Sequence, residues 1–495
     1  MSTSVLNRIR PEEAGIDPRG ILDFLDAVAE EKFELHSFML LRRGEVAAEG
    51  WWAPHAPEDL HAMYSVSKSF TSTAVGLAIE EGLLTLEDRV ADHAKDLLPA
   101  NPHPSLLRMT VRDLLVMGTG QREDPLQKAR VTAGSDWART FLSAPVENEP
   151  GSTFSYSSGA TYMLSFILQT LTGQKVADYL ETRLFAPLGI ERKSWQTSPQ
   201  DVTAGGWGLK LSTEDLAKFG QLYLQRGLWN GERLIPEHWI QQATSKQIAN
   251  GEGDDSDWTR GYGYQFWVCR HNAYRADGAF GQFCLVLPDQ EAVIVFTSAI
   301  SRTQELLNAV WTHLLPAMRS EPLPVGDAGK EAAARLRALA YEPEPAGEAP
   351  AGEDWSGRIY RLDEVLDGEL AIRAVRLTAG EDGSVFAEFW SGAGEAPRGE
   401  AEIALRCGAG RWLRTDAPVR EEASGRTPDA GPVYGAVSRP EAGTLTLEIR
   451  AAEEPVARKI TFRFDGGSVD AFNSANPELG REETRVKGRS EVQEA

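Results

Sequence analysis

Cysteine is scarce in this chain of 495 residues. Cys269, Cys284 and Cys407 are odd in number and fit no zinc-ligand spacing, so free buried thiols are expected rather than a disulfide framework. The eight histidines form no metal-like cluster and His-Glu-x-x-His is absent, so no metal site is expected. Gly-x-Gly-x-x-Gly is absent, which removes the dinucleotide fingerprint. Gly-x-Ser-x-Gly is absent too, which removes the nucleophile elbow of the α/β-hydrolases. No stretch approaches the ~18 apolar residues of a membrane span. Residues 1–20 carry no apolar run, so no secretory signal and a cytoplasmic location are expected. Positive charge is in deficit, with 51 Lys+Arg against 73 Asp+Glu, a net charge of −22 and a pI near 4.9. That balance argues against nucleic acid and anionic membrane as partners.

What is present is ample apolar material, 42% of the chain, enough for a large core and more than one domain. Ile21 to Val28 has helical spacing. Phe38 to Gly50 reads as a hairpin turning at Arg43-Gly44-Glu45, and Phe70 to Leu84 as one helix with Gly82 as a C-cap candidate. Thr110 starts a short helix, and the polar segment Gly118 to Asp136 reads as a long functional loop. Tyr162 to Leu171 is an apolar helix ending near Gly173, and Ser212 has the character of an N-cap. Tyr262–Val268, Phe283–Leu287 and Ala292–Phe296 read as strands, and a last helix runs from Arg302 to Leu315. Residues 1–320 are expected to form the main domain. Residues 321–353 read as a helix and linker, turning rich in Pro, Gly, Ala and Glu from Glu342 to Asp354. Residues 354–476 alternate with period two, as in Leu445, Leu447, Ile449 and in Ile460, Phe462, Phe464, which predicts a small antiparallel barrel or sandwich. The charged segment 477–495 is expected to be disordered.

The chemistry gathers around Met63-Tyr64-Ser65-Val66-Ser67-Lys68, the only Ser-x-x-Lys in the chain. At a helix start, positions three apart share a face, so Ser65 and Lys68 point the same way. A serine needs a base, and a buried lysine can lose its charge to become one. The helix N-terminus adds donors for an oxyanion. On spacing alone, a capped helix with a solvated lysine fits as well. The low charge of the surrounding segment favours burial. Tyr156-Ser157-Ser158 is the only Tyr-x-Ser; its phenol, lowered by a charged lysine, could relay a proton, or its ring could simply pack a turn. Asp277-Gly278-Ala279 precedes an apolar strand and either brings backbone close to a ligand or is an ordinary turn. Trp207, between glycines, is placed at a pocket rim.

These elements resemble the serine β-lactamase and penicillin-recognising superfamily, in the branch of class C-like esterases and 6-aminohexanoate-oligomer hydrolases. The order Ser65-Val66-Ser67-Lys68, Tyr156-Ser157-Ser158, then a glycine-bearing strand start near 278 is the family's order. Met109 to Leu115 and Pro150 to Ser157 match its flanking text, and the resemblance covers roughly residues 15 to 315. It implies an α+β fold: an antiparallel sheet flanked by helices with an all-helical subdomain, and the site between them. It implies Ser65 as the acylated nucleophile, Lys68 and Tyr156 as base and acid, and the backbone N–H groups of Ser65 and Ala279 as oxyanion hole. Ser158 stands where lactamases carry asparagine, and Ser158, Trp207, Asp277 and Gly278 would contact substrate. No cofactor is implied. Where lactamases have Lys-Thr-Gly, this chain has Ala276-Asp277-Gly278, without the cation that holds a lactam carboxylate. Esters or linear amides, some bearing an amino group for Asp277, are therefore the expected substrates. The alternative is a β-lactamase or a penicillin-binding sensor that acylates with little turnover. A homo-oligomer is left open.

Overall fold

A computed structural model describes residues 6–132, 134–253, 255–347, 355–366, 372–391, 401–416, 431–475 and 483–490. The chain divides into two compact units. One holds Met1–Trp51, Leu60–Ser298 and Arg302–Ala338; the other holds Trp52–Asp59, Ala299–Ser301 and Leu339–Ala495.

The first unit opens with helix α1 (Pro18–Glu30), capped by Asp17, and the hairpin β1 (Leu35–Arg42) and β2 (Glu45–Trp51). After β3 (His61–Ala62), the 3₁₀ turn Tyr64–Val66 runs directly into α2 (Ser67–Glu80). The helix thus begins three residues earlier than the apolar pattern indicates and stops before Gly82, which takes φ +72°. A helical layer follows: α3 (Pro104–Arg108), α4 (Val111–Leu115) with a Thr110–Asp113 capping box, α5 (Leu126–Ala129), α6 (Trp137–Ser143), α7 (Ser158–Thr172), α8 (Val176–Leu180) and α9 (Ala186–Leu188). The short strands β4 (Ser194–Trp195) and β5 (Leu209–Leu211) join β3. Then come α10 (Thr213–Leu224) behind its Ser212 cap, the small hairpin β6 (Leu228–Trp229) and β7 (Glu232–Arg233), and α11 (Glu237–Ala243). Strands β8 (Trp267–Val268), β9 (Tyr274–Gly278), β10 (Gln282–Leu287) and β11 (Ala292–Ser298) complete the sheet, and α12 (Thr303–Ala309) and α13 (Asp327–Arg337) close the unit.

The main sheet is antiparallel in the order β2-β1-β11-β10-β9-β8. Its central strands are buried at every position because both faces are covered. On one face Phe24 of α1 packs on Phe38 and Phe296. On the other, α10 approaches so closely that a side chain at Gly220 would meet Cys284 Sγ at 2.5 Å. A strand buried on both sides reads as a continuous apolar run, as Phe283–Leu287 does.

The expected strand Tyr262–Val268 is corrected to the two residues of β8. The backbone of residues 264–265 is engaged elsewhere: Ser72 Oγ donates to Tyr264 O and Ser69 Oγ to Gln265 O, both at 2.7 Å, while Gln265 takes φ +64°. Those donors come from α2, which is buried all round from Ser67 to Ala78. Its inward hydroxyls satisfy loop carbonyls, which explains a helix with few charges and no clear apolar stripe.

In the second unit β12 (Ile359–Leu362), β13 (Ala374–Ala379), β14 (Val385–Trp390), β15 (Ile403–Ala409), β16 (Leu413–Thr415), β17 (Val433–Ser438), β18 (Thr444–Ala451), β19 (Ala457–Asp465), β20 (Ser468–Ala475) and β21 (Thr484–Ser490) form one sheet. It closes through a parallel pairing of β15 with β17, making a barrel rather than a sandwich. Leu445, Leu447, Ile460 and Phe462 point into its core. The expectation of a disordered tail is overturned at residues 484–490: β21 pairs with both β12 and β20 and completes the barrel. Val486 faces inward between exposed Arg485 and Lys487, so the charge is the outward half of a strand's alternation. Residues 477–482 and 491–495 of the tail, and 348–354 of the expected linker, lie outside the described residues.

Candidate active site

The turn that carries Ser65 is held in a costly conformation. Tyr64 takes φ +46° and Phe280 takes φ +64°, a region that side-chain-bearing residues occupy at about 1–3 kcal/mol each. Their rings meet edge-on at 5.3 Å. Tyr64 is fixed through its carbonyl, which accepts Ser67 Oγ at 2.6 Å. Phe280 belongs to the turn Ala279–Gly281 between β9 and β10. Ser298 Oγ donates to Phe280 O at 2.7 Å and Gly281 O at 2.9 Å, and Gln282 Nε2 donates to Ala279 O at 3.0 Å. At Gly278 an added Cβ would stand 2.4 Å from Met63 O. That glycine lets β9 approach the backbone just ahead of Ser65.

Lys68 is only 1% exposed. Its Nζ lies 3.0 Å from Ser65 Oγ, 3.3 Å from Ser158 Oγ and 2.8 Å from Gly206 O. These are hydroxyls and a carbonyl, with no carboxylate among them. Burial therefore brings the ammonium down to about 7, against the opposing pull of Asp124 and Asp277. Near neutral pH a large share of Lys68 is the free amine, and Ser65 O–H can donate to its lone pair.

Tyr156 stands on the far side. Its ring stacks on Trp267 at 5.7 Å, and Lys68 Nζ sits 4.9 Å from the ring centroid. The residue as a whole keeps 37% of its surface open, yet burial is the largest influence on its phenol. It raises the phenol above its ordinary range; a hydrogen bond with Ser65 offsets this in part, and the field of Asp277 and Asp124 adds to the rise. The expectation of a lowered phenol is therefore corrected. The lysine is itself close to neutral and two carboxylates oppose a phenolate, so the tyrosine keeps its proton.

Ser65, Lys68, Tyr156 and Ser158 thus come together. Trp207 follows Gly206; its carbonyl accepts Trp195 Nε1 at 3.0 Å and its half-buried ring lies 5.2 Å from Trp137. Asp277 is buried, and Arg275 Nε donates to its Oδ2 at 2.7 Å. The first place of the motif, Ala276, carries no cation, but the neighbouring Arg275 offsets the charge of Asp277. Alternation places Arg275 and Asp277 on one face of β9, a relation visible in the sequence once the strand is known. Asp124 escaped sequence reading. Its carboxylate accepts Ser157 Oγ at 3.2 Å and the N–H groups of Ser158 and Gly159 at 3.0 Å, anchoring the 118–136 loop to the first turn of α7. The only hint was an acid in a loop already read as functional.

A family model described as Beta-lactamase matches residues 27–316, more than half of the chain. The 6-aminohexanoate-dimer hydrolase of Paenarthrobacter ureafaciens is 28% identical over 284 residues, covering 53% of this chain and 72% of that one. Two solved structures share the fold. EstCE1, described as a hydrolase with promiscuous acyltransferase activity, superposes with a TM-score of 0.51 at 16% identity, over 61% of this chain and 99% of its own. The octameric penicillin-binding protein homologue from Pyrococcus abyssi superposes at 0.50 and 16% identity, over 95% of this chain and 100% of its own. Among the described residues no helix is long and apolar enough to cross a membrane.

Proposed function

The chain belongs to the Beta-lactamase family, and from that premise we propose that it is a serine hydrolase of the esterase and 6-aminohexanoate-hydrolase branch, which hydrolyses small esters or linear amides through an acyl-enzyme on Ser65. The observation that carries the reading is a buried Lys68 Nζ, 3.0 Å from Ser65 Oγ, whose hydrogen-bond partners are all neutral. In the first step Lys68 takes the hydroxyl proton as Ser65 Oγ bonds to the acyl carbon. The oxyanion is received by the N–H groups of Ser65 and Ala279. The bond to the leaving group then breaks, with Tyr156 supplying a proton where the leaving group is an amine. Water attacks the ester in the mirror sequence and frees Ser65. Ser158 and Trp207 are assigned to substrate contact, Gly278 to keeping β9 close. Asp277, offset by Arg275, exerts a weaker pull on a substrate amino group than a lone carboxylate would.

Ser65→Ala is expected to abolish ester hydrolysis and fluorophosphonate labelling while the thermal melt stays nearly unchanged. Labelling that persists at another serine overturns the assignment. Turnover on p-nitrophenyl esters of varied length, nitrocefin and a linear aminohexanoate dimer ranks the substrate classes. A single fast equivalent of product with no steady state would mark a sensor instead.

A further inference from the structure

The loop between α11 and β8 carries a buried carboxylate that the reaction scheme does not use. Asp257 is fully buried, and its carboxylate accepts five N–H donors. Arg270, in the turn after β8, supplies its backbone N–H at 2.8 Å, Nε at 3.1 Å and Nη2 at 2.8 Å. Gln304 Nε2 of α12 donates at 2.8 Å and Trp311 Nε1 at 2.9 Å. Gln304 Oε1 in return accepts the Asp257 N–H at 2.9 Å. Burial opposes the charge of this carboxylate, but the hydrogen bonds from Arg270, Gln304 and Trp311 outweigh it and bring the group down to about 2. It is therefore ionised at any pH at which Lys68 can serve as a base, and it pins the loop there.

From this anchor a wall of rings leads to the phenol. The carbonyl of Asp257 accepts Arg275 Nη1 at 3.0 Å, and the ring of the next residue, Trp258, lies 4.6 Å from the Arg275 guanidinium carbon. The Trp258 ring meets Trp267 edge-on at 4.7 Å, and Trp267 is the ring on which Tyr156 stacks. Tyr262 closes the same wall, 5.0 Å from Trp267 and 6.3 Å from Tyr156. Closely packed rings cannot absorb a shift singly, so a displaced Trp258 carries Trp267 and Tyr156 with it. Ser65 and Lys68 are set instead by α2 and the turn ahead of it. A group misplaced by about 1 Å loses up to about 10²-fold in rate.

We propose that Asp257 is a positioning residue for the proton donor: through Trp258 and Arg275 it holds the wall that aims the Tyr156 hydroxyl at the leaving group. The inference rests on the reading of Tyr156 as donor to an acyl-enzyme reaction on Ser65. Asp257 itself touches no substrate.

The test compares kcat/KM, which reports acylation, for an ethyl ester and a p-nitrophenyl ester of the same acid on the full-length protein. Ethoxide, like an amine, needs a proton to leave and p-nitrophenolate does not, so the ratio of the two reads the donor. Asp257→Asn is expected to lower the ethyl ester value about tenfold and the p-nitrophenyl value by less than about twofold. In the Tyr156→Phe background the same substitution should move the ratio by less than about twofold, because no donor remains to misplace. A lower melt with the ratio unmoved overturns the proposal and leaves a purely structural carboxylate. Equal losses on both esters overturn it, since the wall then serves the nucleophile or the substrate, and so does a loss that simply adds to that of Tyr156→Phe. Where Asp257→Asn does not fold, Trp311→Phe, which keeps an aromatic ring and the Arg270 pair and removes one donor, carries the same readout with a smaller loss. Ser65→Ala and Tyr156→Phe run alongside separate the failures. An active Ser65→Ala ends the nucleophile reading, and a Tyr156→Phe that leaves the ratio unmoved ends the donor reading and this proposal with it. If both behave as expected while Asp257→Asn leaves the ratio unmoved, only the positioning role falls.

Discussion

Two buried basic side chains, both within the field of Asp277, end in opposite states. Lys68 is 1% exposed and Arg275 is fully buried. Around Lys68 the acceptors are two hydroxyls and a carbonyl, and its ammonium falls to about 7. Arg275 has the Asp277 carboxylate at 2.7 Å, the Cys269 sulfur and Asp257 O at 3.0 Å, and the Trp258 ring 4.6 Å from its guanidinium carbon. Burial opposes its charge, but these partners more than restore it and hold the guanidinium above its ordinary range. Desolvation acts on both, so partner chemistry decides which can give up its proton and which stays a fixed charge.

The hardest blow to that contrast is to give position 68 a cation that cannot discharge. Lys68→Arg and Lys68→Ala should both lose about 10³-fold or more in kcat/KM on ester and amide alike, since neither supplies a base. An active Lys68→Arg would remove the general-base role. Next comes Tyr156→Phe, expected to cost about 10²-fold more on an amide than on a p-nitrophenyl ester, because p-nitrophenolate leaves without a proton and an amine does not. Equal losses on both would leave the tyrosine a positioning group. Asp277→Asn attacks the other cation. Leaving Arg275 buried without its carboxylate should destabilise the fold by about 3–5 kcal/mol in denaturant unfolding. An unchanged midpoint would mean that sulfur, carbonyl and rings suffice to hold the charge.

The meeting of Ser65, Lys68 and Tyr156 was legible because these residues stand in short spacings inside segments of strong secondary-structure signal. The strands β10 and β11 and the hairpin β1–β2 were legible for the same reason. What stayed hidden depends on partners distant in sequence. Arg275 and Asp277 sit two apart on β9, yet the cation-holding rings arrive from Trp258 and Trp267. Gly206 offers Lys68 a carbonyl, which no side-chain pattern reveals. Residues 262–266 are rich in aromatics and look like a strand, but α2 hydroxyls take their carbonyls. In β21 only Val486 and Gly488 face inward, so three outward cations dominated the composition and masked the strand.

The smallest expected effect sharpens the contrast most, because it moves the charge on Lys68 without touching it. Asp124 is the foremost carboxylate opposing the fall of the Lys68 ammonium. An anion nearby favours the charged amine, so its removal favours the neutral one and carries the titration toward acid. In the wild type, kcat/KM should rise with pH through about 7 as Lys68 loses its proton, falling tenfold for each unit below. In Asp124→Asn that limb should lie at lower pH, with rates nearly equal to wild type at pH 9 and higher than wild type on the acid side. The same change weakens the first turn of α7, where the carboxylate holds Ser157 Oγ and two N–H groups, by about the 1 kcal/mol of a lost helix cap. A lower melt with an unmoved limb would show that Asp124 only caps the helix. A limb displaced toward alkali would show that the titrating group is not Lys68, since removing an anion cannot make an amine hold its proton more tightly.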